Sequence, residues 1–181
     1  MANKIDTLLS AFEIVIREPW TGTLSVSERV MFLVYDPAEQ RKIDFRLTDF
    51  ESATIKAGKK CVLVSLKSCF PAWMSKHEYR EEYFRTPKFL VDQLDREFKK
   101  YATDFLNDAI LRCQTDEKTL VAIRDVSSLF GFARLSDILN AVNPKFKGRL
   151  MIFFPGEYEK NHYRLLDARD GWSYLARPIT V

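Results

Sequence analysis

Ile5, Leu8, Leu9, Phe12 and Ile16 recur at intervals of three or four, which predicts an opening helix with one apolar face, closed by Pro19 and Gly22. The period changes at residues 29–35, RVMFLVY, a nearly continuous apolar run of the kind found in a strand covered on both faces. Asp36-Pro37 ends it, with Asp36 suited to cap and Pro37 to the first turn of a helix. That helix is expected to reach about Gly58, whose backbone can turn left-handed at a helix end. CVLVSL, residues 61–66, follows as a second buried strand and predicts a βαβ unit with parallel pairing.

Residues 69–84, CFPAWMSKHEYREEYF, read as an irregular, aromatic-rich helical segment, and Thr86-Pro87 opens a longer helix. Phe89, Leu90, Leu94, Phe98, Phe105 and Ile110 supply its apolar stripe, with Asp92, Asp95, Arg96, Lys99 and Lys100 in solvent. TLVAIRDV, residues 119–126, predicts a third strand. Leu135, Ile138, Leu139 and Val142 mark an amphipathic helix stopped by Asn143-Pro144, and RLMIFF a fourth strand. Beyond a Pro155-Gly156 break, YRLLDA and WSYLARPI alternate around Asp170-Gly171, predicting an antiparallel hairpin at the sheet edge. Together the elements predict a three-layer α/β sandwich with a mostly parallel sheet of four to six strands. A phosphate-loop-like core is compatible with this order.

Length and composition narrow the picture without changing it. The 181 residues suit one domain spanning 1–181, and six glycines with seven prolines leave no disordered or collagenous signature. A formal charge of +3 arises from 28 basic and 25 acidic residues mixed along the chain, so no overall nucleic-acid footprint is visible. Cys61, Cys69 and Cys113 lack metal-ligand spacing and read as reduced thiols. Lys4, Asp6, Glu13 and Arg17 interrupt the opening segment, unlike a signal peptide, and no apolar run approaches the roughly 20 residues that span a bilayer. The expectation is a cytoplasmic protein.

Candidate chemistry is sparse. YDPAEQRK after the first strand lacks both the glycines and the lysine of a phosphate loop, and no GxGxxG is present. Asp36, Asp125 and Glu157 each follow a predicted buried strand, which could gather three carboxylates around a divalent ion for phosphoester hydrolysis. The plainer reading makes Asp36 a helix cap, pairs Asp125 with Arg124 and leaves Glu157 on a turn. His77 and His162 have no zinc spacing, and Ser127 or Ser128 with His162 and Asp167 lacks the GxSxG elbow. No catalytic residue, metal or cofactor is therefore assigned. Lys56, Lys59 and Lys60 are the basic cluster an accessory DNA-binding role would use.

Aromatic residues offer a different possibility. Phe130 and Phe132 flank Gly131 at a strand-to-helix junction; both rings are expected in the core, the alternative being that one is displayed as a partner anchor. Tyr158, His162, Tyr163, Arg164, Asp170 and Trp172 complete a candidate partner-binding set, and SKHEYREEYFRTP mixes tyrosine with arginine in the same manner.

Four stretches carry a resemblance: FLVYDPAEQRKIDFRL, FPAWMSKHEYREEYF, DVSSLFGFARLSDILNAV and GRLMIFFPGEYEKNHYRLLDARDGWSYLARPI. From about residue 5 onward the chain resembles the BrxB family encoded in bacteriophage exclusion (BREX) clusters of bacteria and archaea. The resemblance implies a cytoplasmic component of a phage-defence system that distinguishes host from invading DNA by methylation. It also implies association with PglZ, a protein resembling alkaline phosphatases, and it carries no established catalytic residues.

Overall fold

The computed structural model describes residues 4–25, 27–142, 145–160, 162–165, 172–173 and 176–181, with Ser27, Trp172 and Ser173 described by their backbone. Helix α1, Lys4–Arg17, buries Ile5, Leu8, Phe12 and Ile16, the face its spacing predicts. Strand β1, Val30–Tyr35, is buried at all six residues. Asp36 accepts a hydrogen bond from the Ala38 N–H at 2.9 Å, capping a single 3₁₀ turn at Pro37–Glu39. The single helix expected next is two, α2, Gln40–Phe45, and α3, Leu47–Lys56, divided at Arg46, and Gly58 does take a positive φ of 73°.

Strand β2, Lys60–Ser65, corrects two expectations. It lies at the sheet edge, with Leu63 49% exposed and only Val64 fully buried, and it does not pair with β1. Its neighbour is β3, Thr119–Arg124, followed by β4, Arg149–Glu159, then β1 and finally β7, Arg177–Ile179. All four pairings in this row are parallel. A continuous apolar run thus identifies a strand without distinguishing an interior position from an edge.

Between β2 and β3 come α4, Cys69–Ser75, and α5, Arg80–Arg85, then a helical stretch of a 3₁₀ turn, Pro87–Leu90, α6, Val91–Gln93, a widened π turn, Leu94–Phe98, and α7, Lys99–Arg112. Phe98, Ala102, Leu106 and Ile110 are buried, whereas Phe89, expected in the stripe, is 56% exposed. Helix α8, Leu135–Asn140, buries Leu135, Ile138 and Leu139 between β3 and β4.

Alternation along the central strands divides the core in two. Val30, Phe32 and Val34 face α4, α7 and α8, while Met31, Leu33 and Tyr35 face α1 and α3, giving helices on both sides of the sheet.

The C-terminal antiparallel unit is built on β4 itself. No break occurs at Pro155-Gly156: Pro155 pairs with Tyr35 of β1, and Gly156 begins the antiparallel pairing with β5, His162–Leu165. Proline has no N–H to donate, so the point where a strand changes partners tolerates it. A Cβ at Gly156 would lie 2.2 Å from the Arg164 carbonyl, so this close approach requires glycine. Strand β6, Trp172–Ser173, pairs antiparallel with β5. The anticipated turn at Asp170-Gly171 lies outside the described residues. The edge strand proper is β7, parallel to β1, because RPI continues past the antiparallel unit to cover that flank.

Candidate functional site

Two cavities open at the carboxyl ends of the strands, where loops of a parallel sheet converge. One, of about 700 Å³, lies between the β3–α8 connection and the helical stretch before α7. Val91, Leu94, Leu129, Phe130 and Phe132 provide most of its apolar wall, and Leu165 of β5 also lines it. Gly131 has φ of 79°, a conformation glycine adopts freely, and the two phenylalanines diverge there. Phe132 turns inward, stacked on Phe70 with centroids 3.9 Å apart. Phe130 remains 49% exposed. The pair is thus split, correcting the expectation that both rings join the core.

The rim of this groove carries charges of both signs, Asp95 and Asp137 against Lys99 and Arg134. Lys99 Nζ lies 2.8 Å from an Asp95 carboxylate oxygen and 3.8 Å from one of Asp137. The bond from Lys99 holds the Asp95 carboxyl below its usual range, and Arg134 adds to the effect. Apolar floor, exposed aromatic ring and mixed-charge rim are the ingredients of a protein-docking surface. Beside it the α5 to α6 region exposes Phe84, Phe89 and Val91.

The second cavity, of about 490 Å³, is lined by α1, the end of β1, the extension of β4 and the last residues of the chain. Asp36 and Glu157 both line it, but Asp125 does not. Asp125 instead accepts hydrogen bonds from Ser65 Oγ and from Arg124 Nε, the latter at 2.7 Å. Glu157 is engaged by Arg164 at 2.5 Å, on the neighbouring strand. Among the described residues no group of three or more histidine, cysteine, aspartate or glutamate side chains could hold a metal ion. The three-carboxylate arrangement is not assembled because each strand end uses its acid locally.

The serine alternative fares no better. Ser128 Oγ donates to the Asp125 carbonyl at 2.6 Å and lies 3.0 Å from that of Leu66, while His162 is exposed, its Nδ1 2.8 Å from the Lys160 carbonyl oxygen. Asp167 lies outside the described residues. His77 stands between Trp73 and Tyr83 and contacts Glu97 at 3.2 Å, far along the chain from His162. Of the lysine cluster, Lys60 pairs with Asp116 at 2.7 Å and Lys59 donates to main-chain carbonyls, leaving Lys56 outward.

The remaining partner-binding candidates separate clearly. Tyr163 is fully buried, stacked on Phe32 at 4.3 Å with its hydroxyl donating to the Ala176 carbonyl at 2.7 Å, so it is a core residue and not a surface anchor. Its phenol is held above the ordinary range by burial, with Tyr158 contributing. Tyr158 is half-buried against it and lines the second cavity. Arg164 is exposed, Asp170 lies outside the described residues, and Trp172 is described only as a backbone partner of Tyr163. Sequence reasoning missed Val91, Leu94, Lys99 and Arg134 as parts of one groove. The signal was FLV at 89–91, three consecutive apolar residues that no single helical face can bury.

These features define an α/β protein with a mostly parallel central sheet and an apolar groove where loops converge. The chain belongs to the BrxB family: the family model described as BREX protein BrxB matches residues 70–177, more than half of the chain. FLVYDPAEQRKIDFRL precedes that span, and the other three stretches that carry the resemblance fall largely within it. Membership makes the protein a component of a BREX phage-defence system. No curated protein and no solved structure matches it significantly. Among the described residues no helix is long and apolar enough to cross a membrane.

Proposed function

We propose that the chain is a non-catalytic adaptor of its BREX system, acting in the cytoplasm as one α/β domain that binds PglZ and supports assembly of the defence complex. The observation that carries this reading is Phe130, a half-exposed ring beside an apolar groove of about 700 Å³ whose rim holds Asp95, Lys99, Arg134 and Asp137. Aromatic side chains desolvated in such settings dominate binding energy, and a charged rim favours correct register over raw affinity. PglZ is the partner implied by the family resemblance, and membership in a BREX system, where other BREX proteins are available to occupy the groove, supports that reading.

The test is recovery of the other components of its own gene cluster on the tagged protein. Phe130→Asp is expected to lose PglZ while keeping the circular dichroism of the parent. Undiminished PglZ recovery with that variant would remove the groove as the docking face.

A further inference from the structure

At the amino ends of the strands, opposite the Phe130 groove, three cations gather with no carboxylate bonded to them among the described residues. Arg29 immediately precedes β1 and Arg149 opens β4, and the Val30–Leu150 register sets them side by side. Arg29 is 8% exposed and Arg149 5%. Arg29 donates to the carbonyls of Phe146 at 2.8 Å and Leu24 at 2.6 Å, and Arg149 to that of Thr21 at 2.8 Å. Lys59, just before β2, donates to the carbonyls of Ile16 and Glu18. The Trp20 ring joins two of them, with Lys59 Nζ 4.8 Å and Arg149 Cζ 5.3 Å from its centroid.

Among the described residues these three cations bond only to main-chain carbonyls, never to a carboxylate. Arg29 Nε is buried with no acceptor among the described residues. Other cations beside the sheet are matched with acids, as in Lys60–Asp116, Arg124–Asp125 and Arg177–Glu18. Carbonyl dipoles supply partial charge only, and buried charges are ordinarily paired. Burial lowers the pKa of both Lys59 and Arg149, and each is lowered further by a neighbouring cation, Arg149 for the lysine and Arg29 for the arginine. Crowded cations with an unused N–H call for an anion with several oxygens.

We infer that this amino-edge cluster binds a phosphate group, held by Arg29, Arg149 and Lys59 beside the largely exposed segment of residues 18–25. Guanidinium groups favour phosphate because their planar donors engage two oxygens at once, and a dianion offsets more of the local charge than a carboxylate does. A free phosphate compound and a nucleic-acid backbone present the same chemistry.

Inorganic pyrophosphate, titrated into the full chain at fixed ionic strength, is the probe. It is expected to raise the melting temperature progressively, as a ligand of the folded state does. Arg29 and Arg149 anchor main chain, so the informative variant is Lys59→Met, expected to bind roughly tenfold more weakly or worse for loss of one charge-assisted bond. Lys160→Ser, on the β4–β5 turn at the other end of the sheet, should bind as the parent does. Competition by a short single-stranded oligonucleotide would assign the phosphate to a nucleic-acid backbone, and its failure to compete would assign a free phosphate compound. Pyrophosphate that stabilises no more than sodium chloride of equal ionic strength, or parental affinity in a folded Lys59→Met variant, would overturn the inference. Neither result bears on the Phe130 groove.

Discussion

Replacing Tyr163 by phenylalanine or alanine separates a core residue from a surface anchor by their effects on stability. The ring has no exposed surface, stacks on Phe32 at 4.3 Å, contacts Tyr158 at 4.8 Å, and donates its hydroxyl to the Ala176 carbonyl. Tyr163→Phe keeps the ring and leaves that buried carbonyl without its donor, a loss of about 1–3 kcal/mol. Tyr163→Ala also removes the ring and leaves a cavity between β5 and the sheet, a loss of about 3–5 kcal/mol. For a chain of this size each kcal/mol lowers the melting temperature by about 2–4 °C, so the phenylalanine variant melts roughly 2–12 °C below the parent. Urea unfolding followed by fluorescence gives the free energies, and calorimetry the midpoints. An alanine variant within about 1 kcal/mol of the parent would refute the packing described here. Loss of PglZ binding at parental stability would return Tyr163 to the surface.

Thiol chemistry and alkaline pH give independent checks. Cys113 is exposed, whereas burial pushes the Cys61 thiol, helped by Glu51, and the Cys69 thiol up to about 11. An aromatic disulfide reagent should therefore modify one thiol of the native protein rapidly and the others only on unfolding; three equal rates would contradict this. Tyr35, through burial and the charge of Asp44, and Tyr163, through burial and Tyr158, keep their phenols above the ordinary range. A folded-state pKa raised above the unfolded value of about 10 gives stability that is complete below that pH and declines as pH rises through it toward the folded value. The urea midpoint is expected to fall above that pH and to fall less in Tyr163→Phe. A midpoint indifferent to pH there would refute the assignment.

How far the chain announces its fold depends on which physical signal is asked for. The period of apolar residues found α1, β1, β3, β4 and α8, because burial on one or both faces leaves a direct mark. It could not place β2 at the edge, since CVLVSL packs its half-buried residues against one neighbour and the helices as readily as a central strand packs against two. The stripe of the long helix holds at Phe98 and Ile110, with Leu90, Leu94 and Phe105 packed against the core, and fails only at Phe89, which lies in the 3₁₀ turn ahead of the helix. Phe130 and Phe132 were legible as candidates, yet their division between solvent and core depends on the turn at Gly131 and on the stack with Phe70. Tyr163 looked like an interface residue because tyrosine suits either place. Only the pairing of β5 with the extension of β4, which lays the ring over Phe32, decides between them.

Docking of PglZ in the groove beside Phe130 is tested by calorimetric titration of purified PglZ into the parent protein and the Phe130→Asp variant. The parent is expected to bind, and the variant to bind roughly 30-fold more weakly or worse, the effect of removing an aromatic anchor worth about 2 kcal/mol. Equal affinity for parent and variant, with both folded, would contradict it.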